Sequence, residues 1–164
     1  MKRTALLVIL TGLALSSLSP ANAQPARMEL TASQAEAIIA GCKIHAAGRR
    51  QSHAIVVLDG GGHALATLRM DGNRPGIMAF AEQKATAVAN WGFPTSAMAE
   101  AARTTPGFDH APFVVVTPGG VPVYAGDGRT VVGAVGVSGE APADDAACAV
   151  AGIRAAGLMS ERRR

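Results

Sequence analysis

The segment GGGHALATLRMDGNRPGIMAFAEQKATAVANWG (residues 60–92) organises the rest of the chain. A glycine turn leads into an alternating strand, a second turn follows at residues 71–74, and Pro75 opens a helix at a position that tolerates proline. Apolar side chains recur along that helix at the spacing of one face: Ile77, Phe80, Ala81, Val88 and Trp91. The segment therefore predicts a hairpin turn, a strand, a second turn and a helix.

One residue interrupts this apolar face. Lys84 lies seven residues from both Ile77 and Trp91, in the middle of the stripe. An ammonium group is costly to bury without a partner. Three interpretations are open. The side chain keeps its charge at the rim, it pairs with Asp71 or a ligand carboxylate in an anion site, or it is an amine nucleophile with a lowered pKa.

The first 23 residues have the pattern of a secretory signal peptide. Lys2 and Arg3 form a basic start, residues 5–15 are apolar, and residues 21–23 (ANA) form a small-residue cleavage site. The apolar run is too short to span a bilayer. We therefore predict one mature domain of residues 24–164, located in the periplasm or secreted, with no membrane span after cleavage.

The charge balance of the mature chain is close to neutral. The full chain has 15 basic and 12 acidic residues, and two of the basic ones leave with the signal peptide, which leaves a net charge of about +1. Aromatic residues make up only 4% of the sequence. A nucleic-acid-binding surface needs a basic face or stacking aromatic side chains, so this class of function is excluded.

Two cysteines, Cys42 and Cys148, occur in a chain that we predict to be exported. An even number of cysteines in an oxidising compartment favours a disulfide bond. Two buried thiols that act as small apolar side chains are the alternative. The last helix has two competing apolar stripes, and Cys148 faces the core only if its own stripe is the buried one.

The hydrophobic pattern predicts a helix, two strands, two helices, three strands and a helix. The first helix begins after Thr31, with Gln34 completing a capping box, and ends at Gly48. Strands are predicted at residues 54–58, 63–70, 113–117, 121–125 and 130–138, and further helices at 75–91, at 95–103 with Thr95 or Ser96 as cap, and from Pro142. Short turns join consecutive strands. We expect a profilin-like α+β fold, in which helices flank a five-stranded, mainly antiparallel sheet.

Glycines repeat at every third position of the last predicted strand: Gly133, Gly136 and Gly139. Glycine weakens a strand unless another group approaches closely. We therefore expect this strand to face a ligand or the backbone of another subunit.

No motif assigns a catalytic residue. The chain has no nucleophile elbow, phosphate loop, dinucleotide fingerprint or CxxC pair, and its four histidines do not have the spacing of a helical zinc site. His45 is a candidate metal or haem ligand because it lies at the edge of an apolar stripe. Arg69, Met70 and Asp71 are a second candidate group, with Met70 a soft ligand.

Four patterns together resemble the GlcG/HbpS-type family of small haem-binding or haem-degrading proteins. They are V-x-D-x-G-G-H-x-x-A at residues 57–66, A-x-x-R-M-D-G at residues 66–72, the helix with Lys84 and Ala85, and V-G-A-x-G-V-S-G at residues 132–139. The same domain occurs at the C-terminus of some cobalamin adenosyltransferases. The resemblance implies a profilin-like fold, assemblies from dimers to octamers, and haem binding linked to haem breakdown or redox sensing.

Three hypotheses about function follow. In the first, which the resemblance implies, the exported protein binds haem, His45 ligates the iron, and Lys84 or Arg69 pairs with the propionates. In the second, a pocket with Lys84 and Asp71 at a subunit interface binds an organic acid or a carbonyl compound, as a binding protein or an enzyme. In the third, the protein is an accessory oligomer without a ligand.

Overall fold

The structure is a computed structural model that describes residues 28–163. The predicted signal peptide lies outside the described residues. The elements follow in chain order: α1 (Ala32–Arg49), β1 (Ala54–Asp59), β2 (Ala64–Arg69), α2 (Pro75–Trp91), α3 (Thr95–Thr104), β3 (Gly120–Tyr124), β4 (Val131–Ser138) and α4 (Pro142–Ala155), with a short 3-10 helix at Phe108–His110. Within residues 28–163, no helix has both the length and the apolar character that crossing a membrane requires.

The four strands form one antiparallel sheet in the order β2-β1-β4-β3. Side chains of β1 alternate between two apolar layers. Ile55 and Val57 pack with residues of α1 and α4 on one face, whereas Val56 and Leu58 pack with residues of α2 on the other. Because helices cover both faces, β1 is apolar along nearly its whole length. The α+β class and the antiparallel pairing are confirmed.

The prediction of five strands is wrong. Residues 113–117, predicted as a strand, form neither helix nor strand, and Phe113 has a left-handed backbone with φ of 61°. The next strand begins only at Gly120, where pairing with β4 starts. Strand propensity is realised only where a neighbouring strand supplies hydrogen bonds, and the described chain offers none to residues 113–117.

The capping signals predict α1 and α2 well. Thr31 and Gln34 form the capping box, and Gly92 with φ of 74° ends α2. Two details differ. The first helix continues through Gly48 to Arg49, and Arg50 takes the left-handed position. Pro94 precedes α3 in place of the expected Thr95 or Ser96 cap.

The side chain of Thr95 bonds to the start of β3 and does not cap α3. Its side chain is buried, and its Oγ1 accepts a hydrogen bond from the backbone N–H of Gly120 at 3.0 Å. The hydroxyl therefore holds the start of β3 against α3 and is not free to cap its own helix.

The glycines of β4 allow close packing within the chain. A Cβ atom at Gly136 would overlap the carbonyl oxygen of Ala81 and the backbone nitrogen of Ala85, so the backbone of α2 lies directly on the sheet there. At Gly133 the neighbour is the carbonyl of Leu58 in β1. The expectation of close approach is correct, but the groups that approach belong to the same chain.

We predict that Gly136→Ala lowers the free energy of unfolding by about 1–3 kcal/mol, because the added methyl group overpacks the contact between α2 and the sheet. Gly76→Ala is the matched control, since a Cβ at Gly76 meets no atom within 4 Å. Alanine is also the better helix former, so the control should be neutral or stabilising. Urea denaturation followed by circular dichroism measures both. Equal stability of the two variants would contradict this packing.

Candidate functional site

Lys84 is completely buried and fully engaged by the protein. Its Nζ donates hydrogen bonds to Oδ2 of Asp145 and to the carbonyl oxygen of Val137, each at 2.9 Å. The ring centroid of Phe80 lies 4.8 Å from Nζ, which adds a cation–π contact. The lysine that interrupts the apolar face of α2 therefore has an internal carboxylate as its counter-ion.

Asp145 connects this lysine to a buried histidine. Its Oδ1 accepts a hydrogen bond from the backbone N–H of Glu140 and lies 3.1 Å from Nδ1 of His53. Because a carboxylate can only accept, Nδ1 of His53 carries the proton. Asp145 also lies in the first turn of α4, where the helix dipole favours negative charge. We call Lys84, Asp145 and His53 the buried relay.

The buried relay joins elements from both sides of the sheet. Lys84 belongs to α2 on one face, Asp145 to α4 on the other, and His53 directly precedes β1. Removing one partner of a buried pair leaves an uncompensated charge, which typically costs about 3–5 kcal/mol. The buried ion pair therefore gives Lys84 a structural role in holding α2 and α4 on the sheet.

The prediction that Lys84 pairs with Asp71 is wrong. Asp71 is exposed in the turn after β2, and its backbone carbonyl accepts a hydrogen bond from Ser52 Oγ at 2.6 Å. The rim position for the lysine charge is also wrong, because the Lys84 side chain is only 1% exposed. The proposed anion pocket of Lys84 and Asp71 is therefore not formed.

His45 lies on α1 with its side chain half-buried. Its Nε2 is buried and, among residues 28–163, has no hydrogen-bond partner. Burial lowers the pKa of His45, and electrostatic interactions with Arg49 and His53 lower it further, against a smaller opposing effect of Asp144. The imidazole is therefore neutral near pH 7, with an unused ring nitrogen.

Arg69 and Met70 differ in what they can reach. Arg69 is exposed, and its Nη1 donates to the carbonyl oxygen of Asn73. Met70 is half-buried, and its Sδ accepts a hydrogen bond from the backbone N–H of His53 at 3.4 Å. The structure thus brings Met70 to the buried relay through His53, and leaves Arg69 at the surface.

Sequence reasoning missed Asp145 and His53 as partners of Lys84. Asp145 lies 61 residues from Lys84, and His53 lies 92 residues from Asp145. Two signals were available: an acidic residue in the first turn of α4 and a histidine directly before a buried strand. Neither identifies its partner without the fold.

In the glycine turn between β1 and β2, the amides of Gly61, Gly62 and His63 already have acceptors within the turn. Oδ1 of Asp59 accepts hydrogen bonds from the backbone N–H groups of Gly61 and His63, each at 2.8 Å. These bonds, the one from His63 foremost, lower the pKa of Asp59.

A groove of about 340 Å³ lies beside this turn, and neither Lys84 nor His45 lines it. No group of three or more His, Cys, Asp or Glu side chains within residues 28–163 is arranged to hold a metal ion.

Cys42 of α1 and Cys148 of α4 are joined by a disulfide bond in the structure. Both side chains are completely buried, and the stripe of α4 that contains Cys148 is the one that faces α1. Close approach of the two helices depends on Gly41 and Gly152, where added side chains would meet Ala155 and Ile38.

We predict that the disulfide forms when the protein is produced in an oxidising compartment. Iodoacetamide should not modify the chain after denaturation without reductant, and should modify both cysteines after reduction. Two adducts before reduction, measured by intact-protein mass spectrometry, would contradict the bond.

A double variant, Cys42→Ala with Cys148→Ala, should lose about 2–5 kcal/mol of stability because the bond closes a long loop.

We predict that His45 titrates below the usual histidine value of about 6.5. Its folded-state pKa is lowered, so the unfolded state takes up the proton first as the pH falls. His45 therefore contributes to a loss of stability on acidification through the unfolded value. An NMR titration of the His45 ring measures the midpoint, and the His45→Gln variant assigns the resonance. A midpoint at or above 6.5 would contradict the burial of this ring.

Comparison with known proteins gives a consistent set of relatives. A double mutant of HbpS from Streptomyces reticuli is 26% identical, with a TM-score of 0.72 over 87% of this chain and 97% of that chain. Protein ORFY from Klebsiella pneumoniae is 23% identical, with a TM-score of 0.74 over 85% and 98%. The PduOC:haem complex is 19% identical, with a TM-score of 0.74 over 82% and 99%. The last two show a shared fold.

No match was found among curated proteins. A family model described as "Haem degrading protein HbpS-like" matches residues 30–154, which include every helix and strand from α1 to β4 and nearly all of α4. The chain therefore belongs to the HbpS-like family of haem-degrading proteins.

Proposed function

We propose that this protein binds haem and that His45 is the ligand of the haem iron. Family membership supports haem as the ligand, and the relative PduOC has been solved as a complex with haem. The observation that carries the residue assignment is the Nε2 atom of His45, which has no partner among the described residues and belongs to a half-buried side chain, whereas the equally unpartnered Nε2 of His53 lies on a completely buried one. Iron binds a neutral imidazole through such a nitrogen.

The other candidate residues fit a haem site unequally. The Nζ of Lys84 is held by Asp145 and Val137, so this lysine does not serve a propionate. The Sδ of Met70 accepts from the backbone of His53, so it is not a free second ligand. Arg69 is exposed and remains a candidate partner for a propionate.

Arg49 is a better-placed candidate for the propionates. It lies one helical turn after His45 on α1, and its charge acts on the His45 ring. Its side chain is 55% exposed, and its Nη1 lies 3.9 Å from the carboxylate of Asp144, a long contact. A guanidinium group binds carboxylates in a bidentate manner, so Arg49 would orient the haem edge beside His45.

Bound haem would supply iron redox chemistry to this site. The chain's own contribution would be to keep the His45 ring neutral, to present its Nε2, and to neutralise the propionate charge with Arg49. Because His45 is half-buried, a change of side-chain rotamer would bring Nε2 to the surface for binding.

Haem breakdown and redox sensing are the activities that the family resemblance implies. Loss of the Soret band during aerobic incubation with a reductant would favour breakdown.

We predict that hemin added to the purified wild-type protein gives a shifted Soret band with saturable binding. His45→Ala should weaken binding at least about tenfold, since the iron loses its protein ligand, and added imidazole should restore part of the shift. Arg49→Gln should weaken binding several-fold while the band position stays the same. His110→Ala, at an exposed position away from α1, is the control. An unchanged spectrum with wild-type protein would end the proposal, and full binding by His45→Ala would end the assignment of His45.

We also propose that the protein is exported to the periplasm or secreted, and that it has the profilin-like architecture and the dimeric to octameric assembly of the family it resembles. The signal-peptide pattern of residues 1–23 supports export, and the buried disulfide is typical of an oxidising compartment. N-terminal sequencing of protein from the periplasmic fraction should begin at Gln24. An intact Met1 would contradict cleavage.

A further inference from the structure

The stretch between His110 and Asp127 contains no charged residue. Within it, residues 114–117 (VVVT) are β-branched, and together with the aromatic Phe113 they form a strongly strand-forming segment. Natural proteins usually protect an exposed strand edge with charged side chains, proline or a bulge. Within residues 113–117 none of the side chains is of this protective kind.

The backbone of this segment has donors without partners. Val114, Val115 and Val116 run without a turn or a bend. In the part of the chain that the structure describes, the N–H groups of Val115, Val116 and Thr117 make no hydrogen bond. Side chains are also left open to water, since Phe113 is 61% and Val116 is 42% exposed. The segment therefore has both the backbone groups and the apolar surface of an unpaired strand.

Contacts on both sides fix this segment in place. Before it, Nε1 of Trp91 donates to the carbonyl oxygen of Pro112 at 3.0 Å. After it, the carbonyl oxygen of Gly119 accepts from the backbone N–H of Val137 at 2.9 Å. A segment held at both ends loses little conformational entropy when it binds a partner.

The flank of the segment is open. A groove of about 430 Å³ separates Phe113, Val114 and Val115 from the outer face of α2, and Glu82 is the one charged residue that lines it. The segment is therefore not packed tightly onto α2, and its backbone stays accessible.

We propose that the segment at residues 113–117 pairs, through its turn-free residues 114–116, with the same residues of a second copy of this chain, as two antiparallel strands about a two-fold axis. In an antiparallel pair every second residue turns its N–H and C=O groups toward the other strand, so the pairing satisfies the backbone groups on the facing edge of both copies, and identical uncharged segments oppose no like charges. The exposed Phe113 and Val116 side chains would be covered in the same contact. The pairing identifies one interface of the assembly proposed above and does not depend on haem.

The test compares Val116→Asp with Ile44→Asp by size-exclusion chromatography with light scattering. Both residues are exposed and apolar, but Ile44, 75% exposed, lies on α1. The wild type should be a dimer or a multiple of it, Val116→Asp should have half that mass or less, and Ile44→Asp should match the wild type. A monomeric wild type, or an unchanged mass for Val116→Asp, would overturn the proposal.

Hydrogen exchange separates strand pairing from a general loss of structure. In the wild-type assembly those amides of residues 115–117 that face the partner strand, which alternate along the segment, should exchange slowly, and in Val116→Asp they should exchange at least about tenfold faster, while the amides of β4 stay protected in both. Fast exchange at residues 115–117 in the wild-type assembly would place the interface elsewhere and overturn the pairing. Hemin binding measured on both proteins tests the proposed function separately, since His45 lies outside this segment.

Discussion

The ion pair between Lys84 and Asp145 is the constraint on which the rest of the structure depends. It links α2 and α4, which cover opposite faces of the same sheet, and it can form only where the end of β4 places the carbonyl of Val137 beside the ammonium group. A buried pair of this kind stabilises little in itself but makes every arrangement that separates its members costly. The close contact at Gly136 fixes α2 on one face of the sheet. The bond between Cys42 and Cys148 fixes α1 to α4 on the other face.

The local part of this fold is predictable from the sequence. The capping box at Thr31, the hairpin of β1 and β2, and the start of α2 at Pro75 depend on neighbouring residues, and the structure has all of them. Lys84 was recognisable as an anomaly for the same reason, because a charge in an apolar stripe is a local pattern. Its partner was not, since Asp145 becomes a neighbour only after the sheet and α4 are in place.

The error at residues 113–117 has a different origin. The composition of FVVVT favours a strand, and the prediction failed because the described chain supplies no strand beside it. Propensity describes what a segment can do, whereas pairing decides what it does. The same mismatch between a strand-forming sequence and an unpaired backbone is what points to a second copy of the chain.

Lys84 and His45, which the sequence placed in one haem site, have separate roles. Lys84 holds the helix layers together inside the protein, and the unused nitrogen of His45 and the exposed guanidinium of Arg49 lie together on α1, at the proposed haem site. The most direct test of the ion pair between Lys84 and Asp145 is a double-mutant cycle of Lys84→Met and Asp145→Asn, with the free energy of unfolding measured by urea denaturation. We expect the double variant to be less destabilised than the sum of the single variants by about 1–3 kcal/mol, because each single change strands a buried charge or dipole. If the stability losses of the two single variants add up to that of the double variant within about 0.5 kcal/mol, Lys84 and Asp145 are not coupled and the ion pair is not the constraint described above.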